Sequence, residues 1–119
     1  MASNAQEIVD TAVDAALRKK AANISVMHMG KVSGFADAFV ICHAASDVQV
    51  RAVSEEILRS LQKRGIHAWH KEGLQNLQWV LLDYVDVVIH VFRKEYREFY
   101  NLERLWGDAE IETVSDEVS

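Results

Sequence analysis

Trp79-Val80-Leu81-Leu82-Asp83-Tyr84, Val85-Asp86 and Val87-Val88-Ile89-His90-Val91-Phe92 together form the stretch that decides the fold. Its two halves are rich in β-branched and aromatic residues, and they lie close enough together to pair as a hairpin. A connection of two or four residues sets Leu81 opposite His90. One face then carries Val80, Leu82, Val87, Ile89 and Val91, which is plain aliphatic core. The other carries Trp79, Leu81, Asp83, Val88, His90 and Phe92. Two readings stay open for that second face. It is a recognition surface, apolar at its centre and oriented by few polar groups, or a helix covers it and Asp83 and His90 satisfy each other or the backbone. A three-residue turn would shift the parity and undo the assignment.

Upstream, Ser46-Asp47-Val48-Gln49 fits a capping box, and Val50, Val53, Ile57, Leu58 and Leu61 behind it form one apolar helical face. Gly65, after Lys63-Arg64, stands where a left-handed helix end wants glycine. The first 20 residues form a second amphipathic helix through Ile8, Val9, Ala12, Val13, Ala16 and Leu17, with Ser3 or Asn4 as its cap. Ile24–Met29, Phe39–Cys42 and Ile66–Trp69 are strand-like. Downstream, Lys94–Trp106 is a helix with Phe99, Leu102, Leu105 and Trp106 inward, while Tyr100 and Glu103 lie off that stripe. The order is α-β-β-α-β-β-β-α. It predicts a single α/β domain, with a mixed sheet of about five strands flanked by about three helices.

The chain's 119 residues suit one domain, half of them apolar and 26% charged. The net charge of -5 is unevenly placed. Asp108, Glu110, Glu112, Asp116 and Glu117 fall in the last twelve residues, and the rest of the chain is neutral. Residues 1–107 are thus expected as the folded domain and 108–119 as an acidic, mobile tail. A body with no net positive charge is a poor binder of nucleic-acid backbone and suits a basic protein partner better. The solitary Cys42 suits a reducing cytoplasm, and no apolar run approaches a membrane span. No basic-then-apolar signal segment opens the chain. A sheet with open edges and an aromatic face can also self-associate into a homodimer.

The residues offer little chemistry. Neither glycine-rich phosphate pattern is present. Asp37 has Phe39 two residues on, so it lacks the second carboxylate of a two-metal pair and reads as a turn residue. His67 and His70 point to opposite faces of any strand that holds both, as do Cys42 and His43. The expectation is a small buried cysteine, a hydrogen-bonded histidine, and no metal or cofactor. The enzymatic alternative is a divergent metal-dependent nucleotidyltransferase or hydrolase using Asp37, Asp83 and the histidines.

Specific strings resemble a known family, the ribosomal silencing factors (RsfS, or Iojap-like). They are Glu72-Gly73, Trp79 to Tyr84, Asp86 to Phe92, Arg97, Phe99 to Glu103 and Leu105-Trp106. Ala36-Asp37, Phe39-Val40-Ile41, Ser46 and Gln49-Val50 match upstream, so the likeness spans roughly residues 6–109. Val85 departs from it, standing where many members have glycine. So does Ala38, where the family has an aromatic.

The resemblance implies a nucleotidyltransferase-like core lacking its catalytic carboxylates. It implies binding to the large ribosomal subunit through its ribosomal protein number fourteen, on the face that meets the small subunit. Subunit joining would be blocked sterically and translation lowered, without catalysis. An assembly role that leaves joining intact is the neighbouring possibility. The surface implied comprises Glu72, Trp79, Leu81, Asp83, Tyr84, His90, Phe92 and Tyr100. Within it Trp79 and Phe92 are apolar anchors, Glu72 and Asp83 meet basic groups, and Tyr84 offers its hydroxyl at the turn edge.

Overall fold

The computed structural model describes residues 4–32, 34 and 36–114. The Ser3 cap and the Asp116 and Glu117 carboxylates lie outside the described residues. In chain order the elements are α1 (Asn4–Arg18), β1 (Ala22–His28), β2 (Ala38–Ala44), α2 (Asp47–Lys63), β3 (His70–Glu72), β4 (Trp79–Asp83), β5 (Val87–Arg93), α3 (Lys94–Tyr100), α4 (Leu102–Leu105) and β6 (Glu110–Thr113). They build one mixed sheet in the order β3-β4-β5-β2-β1-β6. Only the central β2–β5 pair is parallel. Every residue of β2 is buried, as a strand covered on both faces requires, and this is why Phe39-Val40-Ile41-Cys42 reads as an unbroken apolar run.

Helices α1 and α2 cover one face of the sheet. Ala12, Ala15 and Ala16 are fully buried there, and their small side chains let α1 lie close to Val26, Val40, Val80, Ile89 and Val91 in one cluster. The cap of α2 is half of the expected box. Ser46 Oγ accepts the Gln49 N–H at 3.2 Å, but the Gln49 amide donates to the carbonyls of Lys19 and Lys20. It thereby ties the exposed carbonyls at the end of α1 to the start of α2. At the far end of α2, Gly65 (φ +78) donates to Gln62 O and Ile66 to Leu61 O, the paired bonds of a Schellman ending.

Three elements differ from the sequence reading. The sheet has six strands rather than five, because Glu110–Thr113 of the expected mobile tail pairs with β1. Without β6, β1 would present an open edge, and the demand of its backbone outweighs the acidity of the segment. The third strand runs over His70–Glu72 instead of Ile66–Trp69. Ile66 is committed to the helix ending, and pairing with β4 opens only where the Trp69 N–H reaches Asp83 O at 2.8 Å. The last helix breaks at Asn101, which adopts φ +45 and caps α4 by accepting the Arg104 N–H at 3.2 Å. As a result Phe99 and Leu105, expected in the core, are 77% and 68% exposed, while Leu102 is buried.

The hairpin keeps the even parity, and Leu81 pairs with His90. Its turn is tight: Tyr84 N–H donates to Val87 O, and Asp86 N–H donates to Tyr84 O at 2.9 Å. The second bond makes a γ-turn centred on Val85, whose φ is +74. That conformation is strained for a β-branched residue and free for glycine. Val85→Gly is therefore expected to stabilise the chain by about 1 kcal/mol, the relief of strain exceeding the entropy that glycine adds to the unfolded state. A thermal melt checks it, and an unchanged or lowered midpoint would contradict the strain.

Candidate functional site

The second face of the sheet is covered over only part of its area. Met27, Phe39, Ile41 and Phe92 are sealed by Leu102 and Ala109, with Trp79, Tyr96 and Trp106 packed around them. Towards the hairpin turn the cover ends. Leu81, Asp83, Val85 and Val88 line an apolar groove of about 520 Å³, with Phe39 and His90 at its base and Trp69 on its wall. The expected cover is therefore present over one half of this face, and the other half is open.

The alternation of β4 places Trp79, Leu81 and Asp83 on this face, and the β3–β4 register adds Glu72 opposite Leu81 and His70 opposite Asp83. Glu72 is exposed and bonds His70 Nε2 at 2.7 Å. Asp83 is half-buried, and its Oδ1 accepts the Val85 N–H at 2.8 Å, so one carboxylate oxygen shapes the turn. Asp37 and Asp86 meet at the same end, where the Asp37 N–H donates to Asp86 O at 2.7 Å. Asp37 is thus the turn residue its sequence context suggests, and Asp83 is the carboxylate that lines the groove.

Three of the sequence-derived surface residues are not available at the surface. Phe92 is fully buried and packs on Trp79, with ring centroids 5.1 Å apart. Tyr84 turns to the opposite face and joins the helix-side core. Burial pushes its hydroxyl pKa up to about 12, and the buried oxygen has no hydrogen-bond partner among the described residues. His90 is buried as well. Its Nδ1 accepts the Trp79 indole N–H at 3.0 Å, which leaves the proton on Nε2, an atom without a partner among the described residues. Loss of hydration pushes its pKa down to about 3, and a neutral imidazole results. His90 does not pair with Asp83. Trp79 is half-buried, with its ring 4.6 Å from that of Tyr100, which is exposed. An aromatic row therefore runs from Phe92 through Trp79 and Tyr100 to Phe99.

Sequence reasoning missed Trp69, which is 73% exposed. It lies in the irregular stretch before β3, where alternation gives no signal. The informative feature is chemical, since so large an indole left in water is unusual outside a binding surface.

Two groups that could carry chemistry, Cys42 and His43, are buried. Cys42 is buried, and loss of hydration raises its pKa to about 12, so no thiolate forms there. His43 Nδ1 lies 2.9 Å from the Arg97 guanidinium. Burial first, then the charges of Arg97 and Lys94, hold its pKa below the usual range. Arg97 also donates to Asn23 O and Ser25 Oγ and pairs with Glu103. It fastens α3 and α4 to the strands and is not free for chemistry. Among the described residues no three His, Cys, Asp or Glu side chains are grouped to hold a metal ion.

Residues 2–119 match the family model "Ribosomal silencing factor during starvation". The chain is 45% identical over 104 residues to a ribosomal silencing factor of Halalkalibacterium halodurans, covering 87% of this chain and 89% of that one. It is 44% identical to the Bacillus subtilis factor, covering 89% and 90%. A crystal structure of a Bacillus halodurans protein superposes with a TM-score of 0.79 at 41% identity, covering 92% of this chain and 98% of the other.

Proposed function

The chain belongs to the ribosomal silencing factor family, and from that premise we propose that it binds the large ribosomal subunit through ribosomal protein number fourteen and blocks small-subunit joining. The groove beside the hairpin is the docking site. What supports this reading is one feature: an apolar groove left uncovered on a sheet face whose other half is sealed, with the carboxylates of Asp83 and Glu72 beside it. Apolar contact supplies affinity at the centre, and the carboxylates favour a basic protein and disfavour RNA phosphates.

The mechanism is competition and needs no chemistry. Each bound copy places a body about 35 Å across on the joining face, and the joining equilibrium shifts by mass action. Trp69 and Trp79 are the apolar anchors, with Leu81 between them and Asp83 and Glu72 oriented toward basic groups. Tyr100 extends the surface along the aromatic row. The protein acts in the cytoplasm, where the subunits are.

Trp69→Ala is expected to weaken binding to isolated large subunits about thirtyfold, roughly 2 kcal/mol, the scale of a truncated aromatic anchor. The fold should be unchanged, because the side chain packs little of the core. Asp83→Lys is expected to have an effect of similar size, with Asp83→Asn milder because the amide oxygen keeps the Val85 bond. Cosedimentation across a concentration series measures all three. Wild-type affinity in both folded Trp69→Ala and Asp83→Lys would exclude this groove as the docking site.

A further inference from the structure

At the opposite edge of the sheet, β6 bonds to β1 on one side only, and all four of its residues are exposed. One row of its backbone N–H and C=O groups is therefore open to another strand. Beside it a groove of about 270 Å³ runs between α1 and the sheet, with Val9, Val13 and Val114 on its floor and Asp10, Asp14 and Glu112 on its rim. Glu112 pairs with Val26 and Glu110 with His28, so both carboxylates leave the sheet on the side where α1 stands. Among the described residues, no lysine or arginine lines the groove. Arg18 reaches Asp14 at 3.6 Å but also serves Glu56 at 3.3 Å, and Asp10 is met by the Gln6 amide.

These features select one kind of occupant. A second copy pairing edge to edge would set Glu110 and Glu112 against their own like. A nucleic acid would bring phosphates to a negative rim. A basic strand satisfies the open backbone, the apolar floor and the rim together. We infer that β6 and the groove along α1 form a docking site for a basic, extended polypeptide segment, which adds to the sheet as a seventh strand. Its apolar side chains rest on the valines, and its lysines or arginines meet Asp10, Asp14 and Glu112. Five strand spacings, about 24 Å, separate this edge from β3 at the ribosome-facing end, so both surfaces can be occupied at once.

The test uses the full chain, isotope-labelled, titrated with a blocked Lys-Thr-Val-Thr-Lys-Thr-Val-Thr-Lys peptide, whose lysines and valines share one strand face, and followed by the backbone amide signals. Saturable shifts are expected in Glu110–Thr113, Val114 and the groove side of α1, with affinity falling as salt rises. A Lys-Gly-Gly-Gly-Lys-Gly-Gly-Gly-Lys peptide, equal in charge but poor as a strand, should bind at least tenfold more weakly. Glu112→Lys should lose tenfold or more. Asp10→Lys, on the helix and outside the strand's hydrogen bonding, should do the same if Glu112→Lys disturbs β6. No binding, shifts elsewhere, equal binding of the glycine peptide, or full binding to both variants would overturn the inference. Both variants should still cosediment with large subunits. Loss of peptide binding in wild type with cosedimentation intact would sink this site alone, and the reverse would sink the ribosome reading alone.

Discussion

Lowering the pH from 7.5 to 4.5 is expected to remove on the order of 3 kcal/mol of folding stability through His90 alone. Unfolded, His90 takes up a proton near its ordinary value of 6.5. Folded, it resists until about 3, because protonation would place a charge where burial has removed its hydration. Between these values the unfolded state binds one more proton than the folded one. Stability is therefore complete above pH 6.5 and falls by about 1.4 kcal/mol for each unit below it. His43, whose pKa is also lowered, acts in the same direction. Against a typical domain stability of 5–15 kcal/mol the loss is large. Urea unfolding at several pH values reads it directly. In His90→Asn the side-chain oxygen retains an acceptor for the Trp79 indole but has no titration, so the slope should flatten by about 1.4 kcal/mol per unit. Identical slopes in the two proteins would contradict the account.

Gly73→Ala is expected to cost on the order of 3 kcal/mol, combining a forbidden backbone angle with a forced displacement of neighbouring backbone. Gly73 has φ +85 and lies between β3 and β4. A methyl group there would overlap the Trp79 carbonyl oxygen and stand 2.9 Å from its carbon and 3.1 Å from Val80 Cα. Those are backbone atoms at the start of the strand that carries the groove, so they cannot yield without moving Trp79 and Leu81. The variant should unfold at markedly lower denaturant and bind large subunits less well at temperatures where it is still folded. Gly30→Ala is the control, since a methyl there meets nothing within 4 Å. Equal destabilisation by the two substitutions would show that the close approach at Gly73 carries no special energy.

The parts of the fold visible in the sequence are those governed by period and by end chemistry. Alternation through Trp79–Phe92 located both faces of the hairpin and its register, because an even turn leaves only one parity. Ser46 and Gly65 bounded α2. What escaped depends on contacts distant in the chain. Glu110–Thr113 reads as a charged terminus until β1 is seen to need a partner, and Asn101 reads as an ordinary helix residue until its left-handed backbone breaks the helix. The same limit applied to the site. Alternation grouped Trp79, Leu81, Asp83 and His90 on one face, yet it could not show that α4 and Ala109 close the end near Phe92 and leave the end near Asp83 open. Tyr84 continues the alternation of Val80 and Leu82 into the helix-side core, which the sequence pattern already contains, and Trp69 lies where no periodic pattern reaches.

The most direct test of the docking account is cosedimentation of the purified chain with isolated large subunits, followed by addition of small subunits. The account predicts that the chain travels with the large subunit and that fewer joined ribosomes form as its concentration rises, with Asp83→Lys losing both effects together. A chain that stays at the top of the gradient, or one that binds while joined ribosomes form undiminished, would contradict it.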